Sequence, residues 1–225
     1  MGPRNRPVKD NIWQVAGSGL TAAEDAAAYL VAFDDMAALI DSGCGRATDL
    51  LLTNIESTGV AVECIRMLLL THCHIDHAGG AAEIRDRLGC TIVAHALDAD
   101  AIASGDEQLT AADWYGRPMV PCPVDWRLEG DEHLAVGDGA IRVVPIPGHT
   151  PGSVAYLTES AGNLVLFGQD VHGPLDPGFN SDRQAYQESL RRLLDLRADV
   201  LCEGHYGIFS GQERVAEFIR SFLTS

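Results

Sequence analysis

An apolar run, Met67-Leu68-Leu69-Leu70, leads straight into Thr71-His72-Cys73-His74-Ile75-Asp76-His77-Ala78-Gly79-Gly80. Three imidazoles and one carboxylate therefore fall within six residues at the end of a strand. If the backbone stays extended past the strand, His72 and His74 point to the same side, because side chains alternate with period two. Cys73 then faces the other way and packs. Asp76 and His77 follow on the turn into the next helix. One loop can thus supply two adjacent ligand sets to two metal ions, and neutral imidazole with carboxylate suits zinc, with iron and manganese as alternatives.

Three more segments place a polar side chain at the end of an apolar strand: Pro147-Gly148-His149-Thr150-Pro151-Gly152, Phe167-Gly168-Gln169-Asp170 and Glu203-Gly204-His205. Glycine before His149 and before His205 lets the backbone bend sharply and approach closely. Thr150 and Pro151 shape the turn beyond His149. The order HxHxDH, a lone His within PGHTPGS, an Asp after a strand and a GH near the C-terminus resembles the metallo-β-lactamase superfamily, over roughly residues 12–223. Asp41-Ser42-Gly43 matches the early Asp turn of that family.

The resemblance implies a role for each matching residue. His72, His74 and His149 would hold one divalent ion, Asp76, His77 and His205 a second, and Asp170 would bridge the two. Asp41 would accept the free N–H of a ligand histidine and so orient it. In that family a hydroxide between the metals is the nucleophile, and the metals polarise the substrate carbonyl. Asp76 and Asp170 are accordingly the candidate catalytic carboxylates, Asp76 as a proton shuttle to the leaving group.

The remainder of the chain alternates short apolar runs with turn signals. Strands are expected at Ile12–Val15, Ala28–Phe33 and Met36–Ile40, with Asp34-Asp35 as a hairpin turn. A helix over 46–57 stops before Gly59, and helices over about 79–88 and 96–103 flank a strand at Thr91–Ala94. A polar stretch, 104–125, is a candidate lid or substrate loop. Strands at about 140–145, 153–158 and 164–168 lead to a helix over 182–196, a strand over 199–202 and a last helix over about 211–223. Both halves run from strands into helix–strand–helix. The expected fold is α/β: a four-layer αβ/βα sandwich of two facing mixed sheets with helices outside, forming one domain over 1–225.

Lysine and arginine number 16 against 32 acidic residues, so the formal charge is −16, which disfavours nucleic acid and anionic membrane as partners. Hydrophobic residues reach 46%, enough for a full core. The N-terminus lacks the apolar run of a signal peptide, and no run approaches the ~18 apolar residues of a membrane span, so a cytoplasmic location is expected. Six scattered cysteines without a CxxC pair fit reduced thiols. His172, Tyr206, Trp114 and Tyr115 are candidates for the substrate pocket, whereas His95 and His133 read as structural or solvated. Oligomeric state, a homodimer included, stays open.

The expected reaction is hydrolysis of a carboxylic ester, thioester or lactone of a small molecule by a metal-bound hydroxide. The motifs are similar to those of glyoxalase II, but only 20 residues follow His205, too few for the basic C-terminal region that holds glutathione carboxylates in those enzymes. Acyl-homoserine-lactone lactonases share the ligand pattern at comparable length. The alternative is an oxidoreductase resembling the persulfide dioxygenases of the same fold, with one iron held by His72, His149 and Asp170.

Overall fold

The structure is a computed structural model that describes residues 4–224. In the first half, β1 (Arg6–Lys9), β2 (Ile12–Ala16), β3 (Ala28–Phe33) and β4 (Met36–Ile40) form an antiparallel meander. Asp34 and Asp35 make the two-residue turn between β3 and β4, with Asp34 at φ +43°, a conformation that Asp tolerates. After α1 (Thr48–Glu56), β5 (Ile65–Leu69) joins β4 in parallel. The one-turn helix α2 (Ile75–Ala78) and α3 (Ala81–Leu88) precede β6 (Thr91–His95), and α4 (Ala96–Ser104) precedes β7 (Trp126–Leu128). These seven strands form one sheet in sequence order.

The second half builds a six-stranded sheet from β8 (Glu132–Val136), β9 (Gly139–Pro145), β10 (Val154–Ser160), β11 (Asn163–Gln169), β12 (Val200–Glu203) and β13 (Ile208–Ser210). Helix α5 (Arg183–Asp195) connects β11 to its parallel neighbour β12, and α6 (Gln212–Arg220) closes the chain's last layer. Each strand divides its side chains between two layers, as a period of two requires. Tyr29, Val31, Ile40, Leu69, Tyr156 and Phe167 pack between the sheets. Leu30, Leu39 and Leu68 turn outward to meet Leu51 and Ile55 of α1 and Ile84 of α3. Leu166 and Leu201 face Leu190 and Leu193 of α5 and Ile219 of α6. The result is the four-layer αβ/βα sandwich.

Several local expectations are corrected. Arg6–Lys9, where no strand is expected, is an edge strand, a position in which proline is tolerated. The helix expected over about 79–88 is α3, which begins two residues later, and a separate one-turn helix, α2, precedes it across Gly79-Gly80. A Cβ at Gly80 would lie 2.6 Å from the Ser42 carbonyl oxygen, so this pair lets the loop press against the Asp41 turn. The short strands β7, β8 and β13 were not anticipated, and they extend the sheets at their margins.

Candidate metal centre

The site lies where parallel strands end: β4 runs into Asp41, β5 into His72, β11 into Asp170 and β12 into His205. Hydrogen bonds between the halves fix this rim, from Val154 N–H to the Thr71 carbonyl (2.8 Å) and from Ala27 N–H to the Gly204 carbonyl (2.8 Å). The order of the loops then follows from two buried aspartates. Asp41 accepts from the Thr71 amide (2.9 Å), the Thr71 hydroxyl (2.8 Å) and His77 Nδ1 (2.6 Å). Asp98, in the first turn of α4, accepts from the Cys73 amide (3.0 Å), the Thr150 hydroxyl (2.7 Å) and the Gly152 amide (2.7 Å).

Held this way, Cys73 turns its thiol away toward the Leu109 carbonyl, while the His72 and His74 rings stand 4.6 Å apart, edge to face. Helix α2 presents Asp76 and His77. His149 follows Gly148, whose φ of +134° and whose position 2.3 Å (as a built Cβ) from the Tyr186 backbone admit only glycine. Its Nδ1 donates to the Pro174 carbonyl (2.6 Å), which leaves Nε2 3.0 Å from His74 Nδ1.

Asp170 divides its two oxygens. Oδ2 lies 3.4 Å from His149 Nε2 and 3.9 Å from His72 Nε2. Oδ1 lies 3.0 Å from His77 Nε2 and 3.3 Å from His205 Nε2, and His205 Nε2 is also 3.2 Å from Asp76 Oδ2. Two groups result, His72, His74, His149 and Asp170 on one side and Asp76, His77 and His205 on the other, with potential ligand atoms within 4.8 Å of one another in each. Nε2 of His72 and of His77 and Oδ1 of Asp170 are buried without a hydrogen-bond partner. Buried polar atoms are ordinarily satisfied, so inward-facing orphans in two compact imidazole–carboxylate sets fit divalent cations.

The electrostatics of the two groups differ. Burial, reinforced by the neighbouring imidazoles, holds His72 well below the usual histidine range, and burial with His149 beside it brings His74 down to about 3. His149 is lowered too, chiefly by burial. At His205 burial acts downward, but the nearby carboxylates of Asp170 and Asp76 outweigh it and raise the ring to about 10. At His77 burial is likewise outweighed, by the charges of Asp170, Asp76 and Asp41. Without a cation, the imidazoles of the first group are therefore neutral at pH 7, whereas those of the second carry protons. Because metal ligands must be deprotonated, filling the second group is expected to release more protons than filling the first. Affinity of the second position should fall steeply as pH drops, while the first changes little. Calorimetric titration in buffers of different ionisation enthalpy reads this directly, and equal proton release at both steps would contradict it.

Above the two groups opens a cavity of about 200 Å³ lined by Ala111, Trp114, Tyr115, His172, Pro174 and Phe179 around His74, Asp76, Asp170 and His205. Trp114, Tyr115 and His172 thus reach the place expected for substrate contacts. Tyr206 does not line this cavity. It is 61% exposed, packs on His172 (4.9 Å) and borders a neighbouring groove with Arg6 and Asp25. His95 caps α4 and His133 is exposed. Sequence reasoning missed Asp98, Glu203 and Phe179. Phe179 stands edge-on to His74 at 4.5 Å and to Trp114 at 5.0 Å. The one signal for Asp98 was an acidic residue just after a strand, indistinguishable from a helix-start residue.

Known proteins share the family and the fold. A family model described as the metallo-beta-lactamase superfamily matches residues 23–205. "Probable metallo-hydrolase YqgX" of Bacillus subtilis (strain 168) is 31% identical over 146 residues, 63% of this chain and 64% of that protein. A "Hydroxyacylglutathione hydrolase" of Anaeromyxobacter dehalogenans is 36% identical over 137 residues, 61% of this chain and 43% of that protein. The match thus spans less than two thirds of the length of these curated relatives. Among solved structures, the metallo-β-lactamase MIM-1 of Novosphingobium pentaromativorans superposes with a TM-score of 0.80 at 22% identity, covering 97% of this chain and 86% of that one. At that identity the likeness is one of fold.

Proposed function

The chain belongs to the metallo-β-lactamase superfamily, and from that premise we propose that it is a dinuclear metal-dependent hydrolase that cleaves a carboxylic ester, thioester or lactone of a small molecule. The observation that carries this reading is Asp170, whose two oxygens face two separate imidazole groups. His72, His74 and His149 would hold one ion, Asp76, His77 and His205 the other, with Asp170 between them. Bound there, two zinc-type ions would supply Lewis acidity, bringing the pKa of a water to ~7 and polarising the substrate carbonyl.

The chain's own residues do the positioning. Asp41 and the Pro174 carbonyl fix the rings of His77 and His149 through Nδ1, so that Nε2 of each faces inward. Trp114, Phe179, Pro174 and Ala111 offer an apolar wall for the acyl or leaving group. Asp76 stands at the cavity floor, where a carboxylate can pass a proton to the leaving group. Burial, followed by the charge of Asp76, pushes the Tyr115 phenol up, so it stays a neutral hydrogen-bond donor in the cavity. Among the described residues no lysine or arginine lines the cavity, which favours a neutral substrate over a glutathione thioester with its two carboxylates.

The alternative, a mononuclear iron oxidoreductase resembling the persulfide dioxygenases with one iron held by His72, His149 and Asp170, differs in metal content, and metal analysis separates the two readings. Among the described residues no helix is long and apolar enough to cross a membrane. All six cysteines are free and five are buried, which supports a reducing compartment such as the cytoplasm. A panel of lactones, thioesters, aryl esters and phosphodiesters assayed on zinc-loaded protein tests the proposal. At least one carbonyl class should turn over well above the phosphodiesters. Turnover of none of the three would refute the hydrolase reading.

A further inference from the structure

His172 is built like a ligand. Its Nδ1 lies 2.7 Å from Oε1 of Glu203, a carboxylate with no solvent exposure. Glu203 Oε2 accepts the backbone N–H groups of His205 (2.8 Å) and Tyr206 (2.9 Å), so this side chain is an acceptor throughout and His172 Nδ1 is the donor. The other ring nitrogen, Nε2, is left with its lone pair. The same device serves His77 through Asp41 (2.6 Å) and His149 through Pro174 (2.6 Å). A ring nitrogen anchored on an oxygen acceptor is what fixes tautomer and orientation in metal-ligating histidines.

His172 also lies where a ligand would be useful. It lines the cavity, its ring is 5.2 Å from that of His205, and one of its nitrogens falls within 4.8 Å of ligand atoms of both Asp170 and His205. We propose that His172, oriented by Glu203, is a metal ligand that with Asp170 and His205 forms an outer seat for the second cation, on the cavity side of the seat made by Asp76, His77 and His205. Two seats sharing His205 let the second ion lean toward the cavity without leaving its protein ligands. The cation class is that of imidazole and carboxylate donors, namely zinc, iron(II), cobalt(II) or manganese(II). This assignment rests on the dinuclear reading above.

Cobalt(II) tests it, because its visible absorption reports coordination independently of turnover. The wild-type chain should take up two cobalt ions. In His172→Ala the second ion should bind about 10–100-fold more weakly, with an altered visible band, while the first binds unchanged. His172→Asn keeps an N–H toward Glu203 and should show the same loss, which separates a ligand effect from collapse of the Glu203 environment. On wild-type crystals loaded with cobalt, anomalous scattering should place an ion about 2.0–2.1 Å from a His172 ring nitrogen. Unchanged second-ion affinity and spectrum in both variants, with no anomalous peak at His172, would overturn this assignment and leave the dinuclear reading standing. Uptake of fewer than two ions by the wild-type chain would overturn both.

Discussion

Asp170→Ala is expected to remove both metal ions and all measurable hydrolysis while leaving the chain folded. Among the described residues Asp170 is the one side chain whose oxygens face both imidazole groups, at 3.0 and 3.3 Å on one side and 3.4 and 3.9 Å on the other. Loss of a residue that merely orients a ligand costs about 10–100-fold in metal affinity, so loss of a shared ligand should cost at least about 100-fold at each position. The carboxylate also sustains the raised pKa values of His77 and His205. Its removal should therefore lower both, and the proton release that accompanies filling of the second position should shrink. Chelator-buffered metal titration, circular dichroism and the ester panel read the three consequences. A folded Asp170→Ala protein that retains its metal and full activity would refute the bridging role.

The second large effect is expected at a residue that touches no ligand atom. Asp98 takes three donors, the Cys73 and Gly152 amides and the Thr150 hydroxyl, and so ties the HxHxDH loop to the loop that carries His149. In Asp98→Ala the Thr150 hydroxyl can still use Ser153, 2.8 Å away, but the two amides are left buried without acceptors. An unsatisfied buried donor costs about 1–3 kcal/mol, so the variant should lose roughly 3–5 kcal/mol of stability in urea unfolding. The loops bearing His72, His74 and His149 are then less well fixed, and affinity for the first ion should fall about 10-fold or more. A variant within about 1 kcal/mol of the parent, with unchanged metal affinity, would show that other contacts hold these loops.

The difference between these two residues explains what could be read from the amino-acid sequence. His72 and His74 sit in a dense polar run, His149 next to a glycine and Asp170 two residues after Gly168, each at the end of an apolar strand, which is a local signature. The long strands are legible as apolar runs bounded by turn signals, because both of their faces are buried: Tyr29, Leu30 and Val31 face successively inward, outward and inward. Asp98 and Glu203 had no such signature, because each acts across the fold. Asp98 reaches 25 residues back to Cys73 and 52 forward to Thr150, and Glu203 reaches 31 back to His172. The margins failed for a related reason. Strands β7 and β13 have three residues each, too few for a period to declare itself, and their assignment depends on the neighbours they pair with. Arg6–Lys9 forms a strand because β2 offers it a free edge, which its own Pro- and Arg-containing sequence does not disclose.

The central claim is that one carboxylate stands between two metal positions. Metal analysis of protein purified without added metal, followed by anomalous diffraction from the same preparation, measures it most directly. The account predicts about two zinc-type ions per chain, one against His72, His74 and His149 and one against His77 and His205, with Asp170 between them. A single iron per chain, accompanied by oxygen uptake on glutathione persulfide, would contradict it.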